Sequence, residues 1–118
     1  MTGTFRVEIT TIAEMDVHEI YEYIAQDNSD AAKSFLFFLE EEIETLETFP
    51  LRCSLIPENK LLGSDYRHLL YGNYRIIFKI IDVRVIIMRI LHSSRMLDIG
   101  SLSNQIVIGR EPGDQILL

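Results

Sequence analysis

The chain has 118 residues, of which 47% are hydrophobic and 25% charged, a mixture that fits one globular domain and excludes disorder, collagen-like repeats and low-complexity architecture. Eighteen acidic against eleven basic side chains give a net charge of −7, which excludes a protein that coats nucleic acid with its whole surface. The charge is unevenly spread: residues 1–65 carry four basic and fourteen acidic side chains, whereas residues 66–98 carry six basic and two acidic. An anionic partner is therefore expected to meet the second segment. A lone cysteine, Cys53, leaves no internal disulfide and no cysteine metal set, so the expected compartment is a reducing cytoplasm, with no metal and no cofactor. No apolar run reaches the length of a membrane span, and the first residues lack the apolar stretch of a secretory signal.

Phe5 to Ile9 alternates apolar and polar residues and predicts a short strand. Thr11 with Glu14 makes a capping box, and Ala13, Val17, Ile20 and Ile24 recur on one face of a helix that ends near Gln26. Asn28 or Ser29 caps a second helix whose stripe is Ala32, Leu36, Leu39, Ile43 and Leu46, with Pro50 closing it. The short link predicts an antiparallel helical hairpin. Glu40, Glu41, Glu42, Glu44 and Glu47 read as the solvated face of that second helix. Phe35, Phe37 and Phe38 cannot all face one core, so partial burial at the hairpin edge is expected. After a loop over 50–65, Tyr66 to Tyr71, Gly72-Asn73 and Tyr74 to Ile81 predict a strand, a type II′ turn and a strand. Val83 to His92 supplies a third. The expected fold is α+β: a short N-terminal strand, a helical hairpin and a three-stranded antiparallel meander in one twisted sheet. Residues 1–98 form the domain and 99–118 a flexible or loosely docked extension in which Gln105 to Ile108 can add a strand.

The two-residue turn sets the register. Tyr71 faces Tyr74, Leu70 faces Arg75 and His68 faces Ile77. One face then carries Leu69, Tyr71, Tyr74, Ile76, Phe78 and Ile80 toward the helices, with Arg67 at its edge. The other carries Tyr66, His68, Leu70, Arg75, Ile77 and Lys79, and an even-numbered next turn adds Arg84, Ile86, Met88, Ile90 and His92. A single bulge would move His92 to the opposite side. Two readings of this face compete. In one it is an anion site, with Arg75, Lys79 and Arg84 for phosphates, His68 and His92 for proton transfer and Tyr66 for stacking. In the other it is the ordinary polar face of an antiparallel sheet. Cys53 has no histidine near it in sequence and is not read as a nucleophile.

The stretches Ile20 to Ala25, Ala31-Ala32, Phe49-Pro50, Ile56-Pro57-Glu58, Tyr71 to Ile80 and Arg84 to Arg95 together resemble the RelE/ParE superfamily of toxins from bacterial type II toxin-antitoxin modules, often called plasmid stabilisation proteins. The resemblance covers residues 5 to about 98 and implies the strand, helix, helix and three-strand order already derived. It also implies a cognate antitoxin, a partly disordered partner that folds on binding to form a hetero-oligomer. Such a segment is expected to bring acidic residues to Arg75, Lys79 or Arg84 and an amphipathic helix to the apolar rim.

Two mechanisms occur in the superfamily. RelE-like members cleave mRNA on the ribosome. For that chemistry the resemblance implies Arg75, His92, Arg95 and Glu58 as the catalytic set, with Glu58 near the position of a general base. ParE-like members are associated with inhibition of DNA gyrase and act by binding a protein. Their resemblance implies Arg89 to Leu97 as the poisoning region. In either case the basic face of the meander, with Tyr66, His68, Arg75, Lys79, Arg84, Arg89, His92 and Arg95, is the expected target- or antitoxin-binding set. Overall acidity favours the ParE-like branch, as do the single lysine, Lys60, in the loop before Tyr66 and the lack of an aromatic residue just after Arg95. A third alternative is an inactive relative that serves only as a binding scaffold.

Overall fold

The computed structural model describes residues 4–97 and 107–109. The alternation near the N-terminus forms β1 (Arg6–Thr10), followed directly by α1 (Thr11–Asp27) and α2 (Ser29–Glu44). Thr10, not Thr11, caps α1: its hydroxyl accepts from the Ala13 N–H at 3.2 Å and donates to the Met88 carbonyl at 3.0 Å. Asn28 both separates the helices and caps α2, accepting from the Ala31 N–H at 3.0 Å. After two 3-10 turns (Thr45–Glu47 and Pro50–Arg52) come β2 (Ser54–Leu55), α3 (Asn59–Leu62), β3 (Arg67–Tyr71), β4 (Tyr74–Ile81), β5 (Arg84–His92) and β6 (Val107–Gly109).

The strands form one sheet in the order β2-β3-β4-β5-β1-β6. The expected meander is there, β3 to β4 and β4 to β5 being antiparallel. Strand β1 joins it parallel to β5. Two more strands join these four: β2, in the stretch expected as a loop, and β6, which overlaps the strand that Gln105 to Ile108 can add. Strand β2 pairs with β3, and β6 pairs antiparallel with Glu8 to Thr10 of β1. Gln105 and Ile106 of the expected C-terminal strand lie outside the described residues, as does the rest of the 99–118 extension apart from β6.

The helices pack on one face of the sheet around Val17, Leu39, Ile43, Leu46, Ile76, Phe78, Val85 and Ile87. Leu69, Tyr71, Tyr74 and Ile80 pack against this core, as the register predicts. Phe35 meets Tyr71 and Tyr74 at ring distances of 5.5 and 5.6 Å, while Phe37 and Phe38 stay exposed. Glu40 departs from the solvated-face reading: at 8% exposure it is buried, because it lies beside Leu39 at the inner edge of the acidic run. The opposite face is not simply solvated either. Ile56, Ile77, Leu91 and Leu97 form a second small core there, with Leu62 and Tyr66 packed against it.

Tyr71 pairs with Tyr74, Leu70 with Arg75 and His68 with Ile77. Gly72 has φ +57°, and Asn73 is not among the positive-φ residues, the pattern of a type II′ turn. No atom lies within 4 Å of a Cβ placed on Gly72, so Gly72→Ala meets backbone strain alone. It is expected to lower stability by about 1–2 kcal/mol in denaturant unfolding. The next turn, Asp82-Val83, also has two residues, Ile81 pairing with Arg84. A bulge then intervenes, because Phe78 pairs with Ile87 but Ile77 pairs with Arg89, leaving Met88 extra. His92 consequently faces Tyr74, and Leu91 faces Arg75.

Candidate functional site

The site is built where the second small core meets β4. Asn59 knits the loop that enters it: its side-chain amide donates to the Tyr66 carbonyl at 2.8 Å, and its oxygen accepts from the Ser64 hydroxyl and the Tyr66 N–H. Gly63 closes α3 in the left-handed region at φ +63°. The fixed loop carries Glu58, immediately before α3, under the sheet. Glu58 and Arg75 are 2% and 5% exposed and form a bidentate ion pair, with Nη1 donating to Oε1 at 3.0 Å and Nη2 to Oε2. Arg75 Nη2 also donates to the Arg95 carbonyl at 2.7 Å, and Glu58 Oε2 accepts the Leu97 N–H at 3.0 Å.

These donors set the protonation of Glu58. The Arg75 hydrogen bonds hold its carboxyl down to about 2 from an ordinary 4.5, against the upward push of burial and with help from the Leu97 N–H. His68 neighbours the pair on β3. Burial first, and then the Arg75 charge, push its imidazole below the usual 6.5, outweighing the opposite pull of Glu58. His68 Nδ1 and Arg75 Nε are buried and make no hydrogen bond among the described residues. A histidine disposed against protonation thus sits beside a guanidinium already paired with a carboxylate.

A family model described as the ParE toxin of the type II toxin-antitoxin system, parDE, matches residues 7–97. This chain belongs to the ParE toxin family. No curated protein matches it. The family places it as the toxin of a type II module, which implies an antitoxin partner. Among the described residues, no helix is long and apolar enough to cross a membrane.

The ParE fold brings together only part of the residue set expected from the sequence. Glu58, Arg75, His68 and the Arg95 backbone converge. His92 does not: the Met88 bulge turns it to the Tyr74 side, where it is exposed and meets that ring edge-on at 5.7 Å. Its Nδ1 accepts the Ser94 N–H at 3.1 Å and lies 2.8 Å from the Ser94 hydroxyl. Tyr66 packs into the second core instead of offering a stacking surface, and burial raises its phenol. Lys79 is half-buried without an ion pair among the described residues, and the Arg95 side chain is exposed.

The remaining arginines are committed elsewhere. Arg84 donates to both oxygens of Glu8, with Nη2 to Oε1 at 2.6 Å, which lowers the Glu8 carboxyl. Arg89, 7% exposed, forms a bidentate pair with Asp16 of α1 at 2.7 and 2.8 Å. Three of the six cations of the basic segment are therefore neutralised from within by Glu8, Asp16 and Glu58, all from the acidic half of the chain. Sequence reasoning missed Glu8 and Asp16 as partners. Asp16 left a signal: it lies three residues after Ala13, inside the apolar stripe of α1, where a carboxylate needs a partner. Cys53 is buried, which raises its thiol and disfavours the thiolate.

Proposed function

We propose that this ParE family member arrests bacterial growth in the cytoplasm by binding and poisoning DNA gyrase, without a chemical step of its own, and that its antitoxin neutralises it by direct binding. The observation that carries this reading is the closed Glu58–Arg75 pair. Cleavage of RNA by attack of the 2′-hydroxyl needs a base that titrates near the working pH and a cation aimed at the phosphate. Glu58, held at about 2 and 2% exposed, is too weak a base and out of reach. Arg75 spends its guanidinium on Glu58 and Arg95, and His92 lies across the sheet from it. The four residues that the nuclease reading requires do not converge on one reacting atom.

The antitoxin expectation changes accordingly. Arg75 is buried and Arg84 already has Glu8, so an acidic antitoxin segment meets Lys79 and the Arg95 side chain, or displaces Glu8. Purified chain added to gyrase and plasmid is expected to inhibit supercoiling and trap cleaved DNA, and its induction in cells to cause filamentation with DNA-damage signalling. Cleaved transcripts with unaffected supercoiling would overturn the proposal in favour of the nuclease, and normal growth in favour of an inert domain.

A further inference from the structure

We propose that Glu58 and Arg75 form a positioning latch that fixes the Arg95–Leu97 segment in its target-binding pose, so that potency depends on the pair although neither side chain touches the target. The inference rests on the reading that the segment following β5 meets the target. Strand β5 ends at His92, and the chain turns through Ser93–Arg95, held by the Ser93 N–H on the Asn73 carbonyl at 2.8 Å and the Arg95 N–H on the His92 carbonyl at 2.9 Å. Beyond that turn no ladder among the described residues holds the backbone up to Leu97. Its polar anchors are the Arg95 carbonyl on Arg75 and the Leu97 N–H on Glu58. Both come from the two members of one ion pair, one on β4 and one at the start of α3. Leu97, 4% exposed, adds an apolar anchor against Ile56, Ile77 and Leu91.

The latch grips backbone and leaves side chains outward. Met96 is 63% exposed, and the Arg95 side chain is exposed as well. A rigid backbone that displays a cation and a flexible thioether is what a protein-binding segment needs, since ordering it beforehand removes that cost from the binding step. A buried ion pair is a poor choice for stability alone, because well-packed apolar residues serve as well. Its directional bonds to two successive parts of the segment give it a geometric use.

Glu58→Gln separates this role from direct contact. It keeps the volume and the Arg75 guanidinium while releasing that guanidinium from its partner. A direct role for Arg75 therefore predicts equal or greater potency, and a latch predicts loss. Growth arrest is read at equal soluble protein level, with Leu39→Ala as a control of comparable instability in the helical core, away from the latch. The expected results are an at least tenfold higher level of Glu58→Gln needed for arrest and near-parental potency of Leu39→Ala. Backbone order parameters should fall below about 0.6 at Met96 and Leu97 of Glu58→Gln, with those of β4 and β5 staying near 0.85. Arg75→Lys, which keeps the charge but loses the fork, is expected to fall between and carries the test if Glu58→Gln is insoluble. Unchanged potency of Glu58→Gln, or equal loss in Leu39→Ala, overturns the latch. Failure of the parent chain to inhibit gyrase overturns the gyrase reading alone, because arrest is scored whatever the target. A parent chain without effect on growth overturns both.

Discussion

Asp16→Ala is expected to destabilise the protein by about 3–5 kcal/mol in denaturant unfolding. Asp16 is 6% exposed, and its carboxylate accepts two bonds from Arg89 and one, at 2.9 Å, from the Ile90 N–H. Its position explains why so much rests on it. Strand β1 pairs with β5 only as far as Ile87, and the extra residue Met88 then breaks the ladder to β4. The first turns of α1 repair both defects. Thr10 satisfies the Met88 carbonyl and Asp16 the Ile90 N–H. Alanine at 16 removes the bidentate carboxylate from a buried guanidinium and leaves a buried N–H without an acceptor. Asp16→Leu combined with Arg89→Met removes the buried charge together with its carboxylate and is expected to recover the loss except for about 1–3 kcal/mol for the orphaned Ile90 N–H. A double variant no more stable than Asp16→Ala would show that the charge is not the cause.

The same bulge marks the limit of what the sequence discloses. The β3–β4 register was legible to the residue because Gly72-Asn73 admits one turn length and geometry. Both helices were legible because their apolar stripes keep a 3.6-residue period and a side-chain cap stands before each. Met88 carried no such mark. It sits in the unbroken apolar run from Val85 to Met88 with no glycine, and its unpaired carbonyl is satisfied by a threonine 78 positions away. That choice is tertiary, and it moved His92 away from Arg75. Charge arithmetic found the basic segment, yet a count along the chain cannot tell a cation offered to a partner from one spent internally. Arg75, Arg84 and Arg89 are spent on Glu58, Glu8 and Asp16. Arg75, one of the cations of the anion-site reading, is the hub of the site, but its neighbours make it a fixture of the fold.

Acid should expose that fixture directly. The folded-state carboxyl of Glu58 lies at about 2, below its ordinary 4.5, so at neutral pH the ion pair contributes about 3 kcal/mol to stability relative to a protonated Glu58. The contribution is complete above pH 4.5, where both folded and unfolded chains are ionised. It declines as the pH falls because the unfolded chain takes up a proton that the folded chain refuses. At about pH 2 and below, both forms are protonated and nothing remains. Glutamine mimics the protonated carboxyl, so Glu58→Gln is expected to be about 3 kcal/mol less stable than the parent chain at pH 7. The two curves should converge toward pH 2. His68, whose folded-state imidazole is depressed from 6.5, also disfavours acid, but its contribution starts to fall near pH 6.5, when the unfolded chain protonates first. Because Glu58 itself pulls the His68 imidazole upward, His68→Asn is introduced into both proteins, so that the difference between the two curves isolates the carboxylate. Urea unfolding of the pair at intervals from pH 7 to pH 2 gives that difference. A constant gap across the range would mean that Glu58 is not held by Arg75 as an anion, and would remove the electrostatic basis of both the latch and the argument against Glu58 as a general base.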